Sequence, residues 1–330
     1  MPTEAVKAPR QLRSHAFGLD LEGDRGIVGL LPSRRPLRGP ATLIEIAERG
    51  RPPTGGQTGK EVRRVQGLDG AVRLSIHFHE ERGYLLSLPG IGTYGVAPDG
   101  LHVTCFPEPG IEDWRWQRAV VNQVLPLAAT IRGLEMIHAG AVSIDGRVFA
   151  MVGHPGAGKS STTLRLILRG ASFFTDDALA IERTDEGLLA HPGAAVSNFP
   201  RNERDLMDTG ERDRLGKVIG DGDAHKSLLE LKREEASLPL GALFFLRRGR
   251  EGAETGFERV LGADASTLLG STYVQSVRSP QRLANQLELC ATVAHEVPVF
   301  DVLIPDSVGA NESAAALMAQ ADTLLHDASP

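Results

Sequence analysis

Cysteine is nearly absent: the 330 residues hold two, Cys105 and Cys290, each among apolar neighbours and neither with a partner at metal-ligand spacing. A small disulfide-stapled fold is thereby excluded, and both thiols are expected to be buried in a reducing, cytoplasmic compartment. An excess of positive charge is missing as well, since 36 Lys and Arg stand against 42 Asp and Glu, for a net charge of −6. Such a chain has no global field to attract a polyphosphate backbone or an anionic surface, which argues against nucleic acid and membrane as partners. Long apolar runs are also lacking. The longest candidate, 119–131, contains Asn122, Gln123 and Pro126 and falls short of the ~18 residues of a spanning helix. Residues 1–14 carry Pro2, Lys7, Pro9, Arg10 and Arg13 without a signal-type apolar stretch, and read as a frayed start. No internal repeat is visible.

What is present suits a globular chain with a real core: 41% apolar residues, with 37 glycines besides. The length predicts two domains, or one large α/β domain with an appendage. From Phe17 to Pro107 short β-type runs (41–46, 72–78, 84–88, 101–106) alternate with Gly, Pro and Asp punctuation. Between Ile111 and Arg132 the apolar residues Trp116, Val120, Val124, Leu127 and Ile131 recur at helical spacing, with a kink expected at Pro126. A buried strand over 136–144, a turn at Asp145-Gly146, a second buried strand over 148–152 and a helix over 159–169 capped by Gly170 follow. Strands are predicted over 172–175, 178–182, 242–246 and 298–304, and helices over 264–269, 280–295 and 312–325. The charged stretch 201–235 reads as a mobile or substrate-facing segment with helical character at 226–233.

The chemistry is concentrated in Gly153-His154-Pro155-Gly156-Ala157-Gly158-Lys159-Ser160, which satisfies G-x-x-x-x-G-K-[ST] between a predicted strand and a predicted helix. Glycines let the backbone curl so that successive N–H groups point at phosphate oxygens, and the helix N-terminus adds partial positive charge. Lys159 would reach the β/γ-phosphates of ATP and the Ser160 hydroxyl would sit on Mg²⁺, with Ser161 next in the helix. Asp176 and Asp177 close the strand after that helix, where loops of an open α/β sheet gather around ligands. One of the two could hold Mg²⁺ and the other accept the proton of an attacking hydroxyl. His138, with Ala139 and Gly140, lies on the strand before the motif strand; alone it reads as a core histidine, its small neighbours implying close backbone approach.

His138 precedes Gly153 by fifteen positions and Asp176 follows it by twenty-three. The run Ile137-His138-Ala139-Gly140-Ala141-Val142, leading into Val152-Gly153 and Gly158-Lys159-Ser160-Ser161-Thr162, resembles the HPr kinase/phosphorylase family and its HPr-kinase-related relatives over about 133–182. The resemblance implies an α/β P-loop kinase core of the HPr kinase/phosphoenolpyruvate carboxykinase-like type in residues 131–330, behind a β-rich N-terminal domain with a linking helix in 1–130. It implies a cytoplasmic phosphotransferase with Asp176 as base toward a serine hydroxyl, Asp177 with Ser160 at the metal, and His138 near the phosphates. The family's downstream glycine-rich signature, with its metal-contacting glutamate, is replaced here by His191-Pro192-Gly193 and Ser197-Asn198-Phe199-Pro200, and the N-terminal module is of another kind. The implied acceptor is therefore a serine-bearing peptide or protein other than HPr, a biosynthetic precursor peptide such as that of a lasso peptide among them, or a small hydroxyl compound. A homo-oligomer is compatible with this reading. The alternative from another class is a nucleotide-binding regulatory subunit without phosphoryl transfer; retention of Asp176 beside the second carboxylate separates the two.

Smaller features carry less. His77 and His79 share a strand face with Glu80 beyond and read as a solvated face, and Trp114 and Trp116 as packing between domains. Among the cations of 201–235, Lys226 is the candidate to close over the γ-phosphate.

Overall fold

Alternation of period two builds the first part of the chain. In the strand Gly92–Val96, Gly92, Tyr94 and Val96 are buried while Thr93 and Gly95 are half-exposed, so one face meets the core. The computed structural model describes residues 12–47, 52, 59–205, 207–221, 226–250, 254–260 and 265–327. The start expected to fray lies outside the described residues up to position 11, and from Leu12 the chain is a strand. Eight strands form one sheet: β1 (Leu12–Ala16), β2 (Leu19–Gly23), β3 (Thr42–Ile46), β4 (Lys60–Gln66), β5 (Val72–His79), β6 (Gly83–Leu88), β7 (Gly92–Val96) and β8 (His102–Pro107). Their order is β1-β2-β3-β8-β7-β6-β5-β4.

The linking helix is not continuous. α1 (Asp113–Ala119) passes into a π-helical turn, Val120–Val124, before α2 (Leu125–Ile131). The departure from α geometry thus comes before Pro126, not at it. Pro126 lacks the N–H that would close an α-turn on the Asn122 carbonyl, and that carbonyl accepts a hydrogen bond of 2.6 Å from the Tyr273 hydroxyl. Val120, Val121, Val124 and Leu125 are completely buried, and they join the N-terminal sheet to Met136, Ala178, Ala194 and Val196 in one apolar cluster.

The strand expected over 136–144 is two strands, β9 (Glu135–Ile137) and β10 (Ala139–Ile144). The break falls at His138, whose N–H donates to the Ser271 carbonyl at 2.7 Å instead of to a ladder. After β11 (Arg147–Val152) come α3 (Lys159–Leu168), β12 (Ser172–Thr175), β13 (Leu179–Thr184), β14 (Gly187–His191) and β15 (Val196–Pro200). Next are α4 (Arg201–Asp205), α5 (Thr209–Leu215), β16 (Gly216–Asp221), β17 (Lys226–Leu231), β18 (Leu238–Gly249) and β19 (Gly256–Arg259). The chain closes with α6 (Ala265–Gly270), α7 (Pro280–Glu296), β20 (Val299–Pro305) and α8 (Ala310–Asp327). Asp264, the expected first residue of α6, lies outside the described residues. The central sheet runs β12-β10-β11-β18-β14-β13-β9, with β20 beside β18 and β19 at its edge. β11, β18 and β20 are parallel neighbours, which makes the fold mixed α/β.

The segment 226–233, read as having helical character, contains a strand over Lys226–Leu231. β17 carries buried Ser227, Leu228, Leu229 and Leu231 between β15 and β16, so pairing on both edges overrides local helical preference. The stretch expected to be mobile or substrate-facing holds two short helices and two strands among its described residues, with 206 and 222–225 outside them. Both cysteines are buried. Trp116 is buried, and the Trp114 ring lies where a Cβ on Gly220 of β16 would be. Among the described residues no group of three or more His, Cys, Asp or Glu is placed to hold a metal ion by itself, and His77 meets Glu61 at 3.8 Å. Among these residues no helix is long and apolar enough to cross a membrane.

Candidate active site

Strand register assembles the site. β10 is antiparallel to β11 with Ala139 opposite Val152, and antiparallel to β12 with Ala141 opposite Thr175. His138, Gly153 and Asp176, the residues just past these pairs, therefore emerge at one edge of three adjacent strands. Gly140 lets α3 settle on this edge: a Cβ there would stand 2.7 Å from Thr163 Oγ1. The close approach expected from Ala139-Gly140 is thus a helix on a strand.

The loop from Gly153 to Gly158 joins β11 to α3. Gly156 and Gly158 have φ of 88° and 96°, a region side chains disfavour, and Gly158 is the N-cap of α3. His154 and Pro155 are exposed, and the His154 carbonyl accepts from the Ala157 N–H at 3.1 Å. Lys159 is buried, and its Nζ donates to the carbonyls of Gly153 at 2.7 Å and His154 at 3.4 Å. Burial pulls the lysine's pKa down, and Asp177 and Asp176 work against that.

The Ser160 hydroxyl donates to Asp176 Oδ1 at 3.0 Å, and so the strand-end carboxylate meets the motif. Asp176 Oδ2 accepts from the Ser197 hydroxyl at 2.7 Å and the Asn198 N–H at 3.2 Å. The Asn198 side-chain amide donates to Asp177 Oδ2 at 3.2 Å, so β15 holds both carboxylates. Asp177 has φ of 63°, a left-handed conformation that Asp tolerates better than most residues. Burial, and then the neighbouring Asp177 charge, push the Asp176 carboxyl up to about 6 despite these donors. His138 Nε2 lies 4.0 Å from Asp177 Oδ1, and its ring meets Tyr273 edge-on with centroids 5.6 Å apart. Burial first, and the Lys159 charge next, lower the imidazole's pKa.

A cavity of about 820 Å³ opens over these groups, lined by the loop, by His138 and Asp177, and by Arg165, Lys226 and Arg248. Lys226 thus reaches the cavity, as the first residue of a strand. Ser161 also lines it and donates to Glu203 of α4. Sequence reasoning assigned no role to Ser197, Asn198, Glu203, Arg165 or Arg248. No local signal marks them: β15 arrives by pairing with β17, and Arg248 stands at the end of β18, donating to the Val308 carbonyl at 2.8 Å.

No family model matches the chain, and no curated protein matches it. Among solved structures it is similar to the HPr(Ser) kinase/phosphatase from Coxiella burnetii, at 13% identity and a TM-score of 0.29, over 58% of this chain and 95% of that one. A likeness this slight carries no argument about the site.

Proposed function

We propose that this chain is an ATP- and Mg²⁺-dependent kinase that phosphorylates a hydroxyl, a serine of a peptide or protein. The observation that supports it best is the 3.0 Å contact of Ser160 with Asp176, which joins the strand-end carboxylates to a glycine-rich loop opening a helix. The residues present fit the two absent groups. Gly156, Gly158, Lys159, Arg165, Lys226 and Arg248 line a cavity of about 820 Å³, with Asp177, Glu203 and Glu312, and bring to it backbone donors and four cations suited to a triphosphate. The hydroxyl of Ser160 and the carboxylate of Asp177 are hard oxygen donors, too few for an all-protein cage, as suits a cation that keeps waters and shares phosphate oxygens. When bound, Mg²⁺·ATP supplies the phosphoryl group and neutralises the charge that develops on it.

Lys159, whose Nζ donates to the carbonyls of Gly153 and His154, would hold the phosphate oxygens of a bound nucleotide. Asp176 accepts the acceptor's proton: with a pKa near 6 it is ionised at neutral pH and still basic enough to act. Its Oδ1 takes its hydrogen bond from a rotatable hydroxyl, so Ser160 can give way to the acceptor while Ser197 and the Asn198 amide fix Oδ2. Asp177 would hold the metal together with Ser160, and His138 Nε2 lies 4.0 Å from its Oδ1. The test is Lys159→Ala: the folded variant is expected to lose ATP binding or turnover, measured with a fluorescent nucleotide. Unchanged affinity and activity would overturn the reading.

A further inference from the structure

A second cavity, of about 210 Å³, adjoins the first through a shared wall residue, His138. Three parts of the chain far apart in sequence build it: β4 and β5 of the N-terminal sheet with Arg63 and Leu74, the linking helix with Gln123, and the segment after α6 with Tyr273 and Val274. Its lining includes no acidic side chain, and one full cation, Arg63. Arg63 is half-buried, and among the described residues no hydrogen bond or ion pair engages its guanidinium, whereas the neighbouring Arg64 is held by Glu61. A half-buried guanidinium without a carboxylate, beside an apolar floor and a chain of polar groups, is set to receive an anion from outside. Tyr273 and Gln123 are tied to each other at 3.3 Å, and Tyr273 meets the His138 ring, so the far end of this cavity lies against the groups that face Asp177.

We infer that this second cavity is the acceptor site, and that it takes a hydroxyl carried close to an anionic group: the anion on Arg63, the hydroxyl directed past His138 toward the carboxylate pair. The inference rests on the kinase reading and adds the acceptor's chemistry to it. Two sources offer that chemistry, a serine flanked by an acidic residue and a small hydroxy acid. The volume suits either one side chain with its neighbour or one small molecule, not a second nucleotide.

The test uses the full chain with Mg²⁺·ATP, first confirming binding of a fluorescent nucleotide by wild type, Arg63→Ala, Arg63→Glu and Arg63→Lys. Transfer is then measured to serine peptides of one design carrying Glu or Lys beside the serine, and to glycerate against glycerol. Wild type is expected to prefer the acidic peptide or the hydroxy acid, and which of the two is used identifies the source. Arg63→Ala should lower kcat/KM on the acidic acceptor by about tenfold or more with nucleotide affinity unchanged. Arg63→Glu should turn the preference toward Lys, and Arg63→Lys should restore part of the rate. A wild-type protein that binds nucleotide but uses no acid-bearing acceptor, or an Arg63→Glu variant with unchanged preference, overturns the assignment. Absence of nucleotide binding in wild type defeats the kinase reading itself, and this inference with it.

Discussion

At the scale of single residues the proposed roles of the carboxylate pair separate chemistry from binding, and substitution tests them. Asp176→Asn keeps the shape and removes the basicity, so kcat is expected to fall by about 10²–10⁴-fold while ATP affinity changes little. Asp177→Asn should weaken Mg²⁺-dependent nucleotide binding as well, and a titration of nucleotide with and without Mg²⁺ distinguishes the two. Equal effects of both substitutions would remove the proposed division of roles. Asp176 also has a signature in stability. Its folded-state pKa, about 6, lies above the ordinary value of 3.8, so the folded protein holds the proton more tightly. That contribution is complete below about pH 4 and is lost as pH rises through 6. The difference in Tm between wild type and Asp176→Asn should therefore shift against wild type across that window and stay level above it. The motif and both aspartates were legible in the sequence because their spacing is local to one strand-loop-helix-strand unit. Ser197 and Asn198 were not, because what makes them partners of the pair is a pairing of β15 with β17 that no local pattern announces. Asn198→Ala, which frees Asp177 Oδ2 but keeps the backbone N–H on Asp176, should weaken nucleotide binding more with Mg²⁺ than without it, a difference that a purely structural role would not produce.

Elements, rather than residues, decide whether the loop and the carboxylates meet. α3 rests on β10 through Gly140, and Gly140→Val would drive a methyl into Thr163, costing about 1–3 kcal/mol and displacing the helix that carries Lys159 and Ser160. Chemical denaturation gives the first effect and nucleotide titration the second. α7 is fixed by a buried ion pair, Arg282 with Glu135 of β9 at 3.3 Å, each side chain only 8% exposed. Arg282→Met would strand a buried carboxylate and is expected to cost ~3–5 kcal/mol at neutral pH. Burial already pulls the Glu135 carboxyl upward, so protonation on acidification should return part of that loss. Most strands and helices are legible from periodicity, but the β17 segment carries helical character and β9–β10 the pattern of a single strand. In both places non-local pairing partners decided the outcome.

Over the whole molecule, a continuous core joins the N-terminal sheet, the linking helix and the strands behind the site. A fragment beginning at residue 131 would uncover the partners of Val120, Val124 and Leu125, and is expected to be insoluble when expressed alone, while the intact chain should melt in one transition followed by Trp fluorescence. Two separable transitions would contradict this. The π-helical turn gives that continuity a direction. Because Pro126 offers no N–H, the carbonyl of Asn122 holds the Tyr273 hydroxyl, and the Tyr273 ring holds His138. A missing hydrogen atom in one helix is thus linked, through Asn122 and Tyr273, to the ring that meets His138. Pro126→Ala would supply a competing donor, and the orientation of His138 would become adjustable from a position that touches neither cavity's reacting groups. The proline works as a tuning screw: evolution could alter how the imidazole is presented there while leaving every residue of the motif untouched.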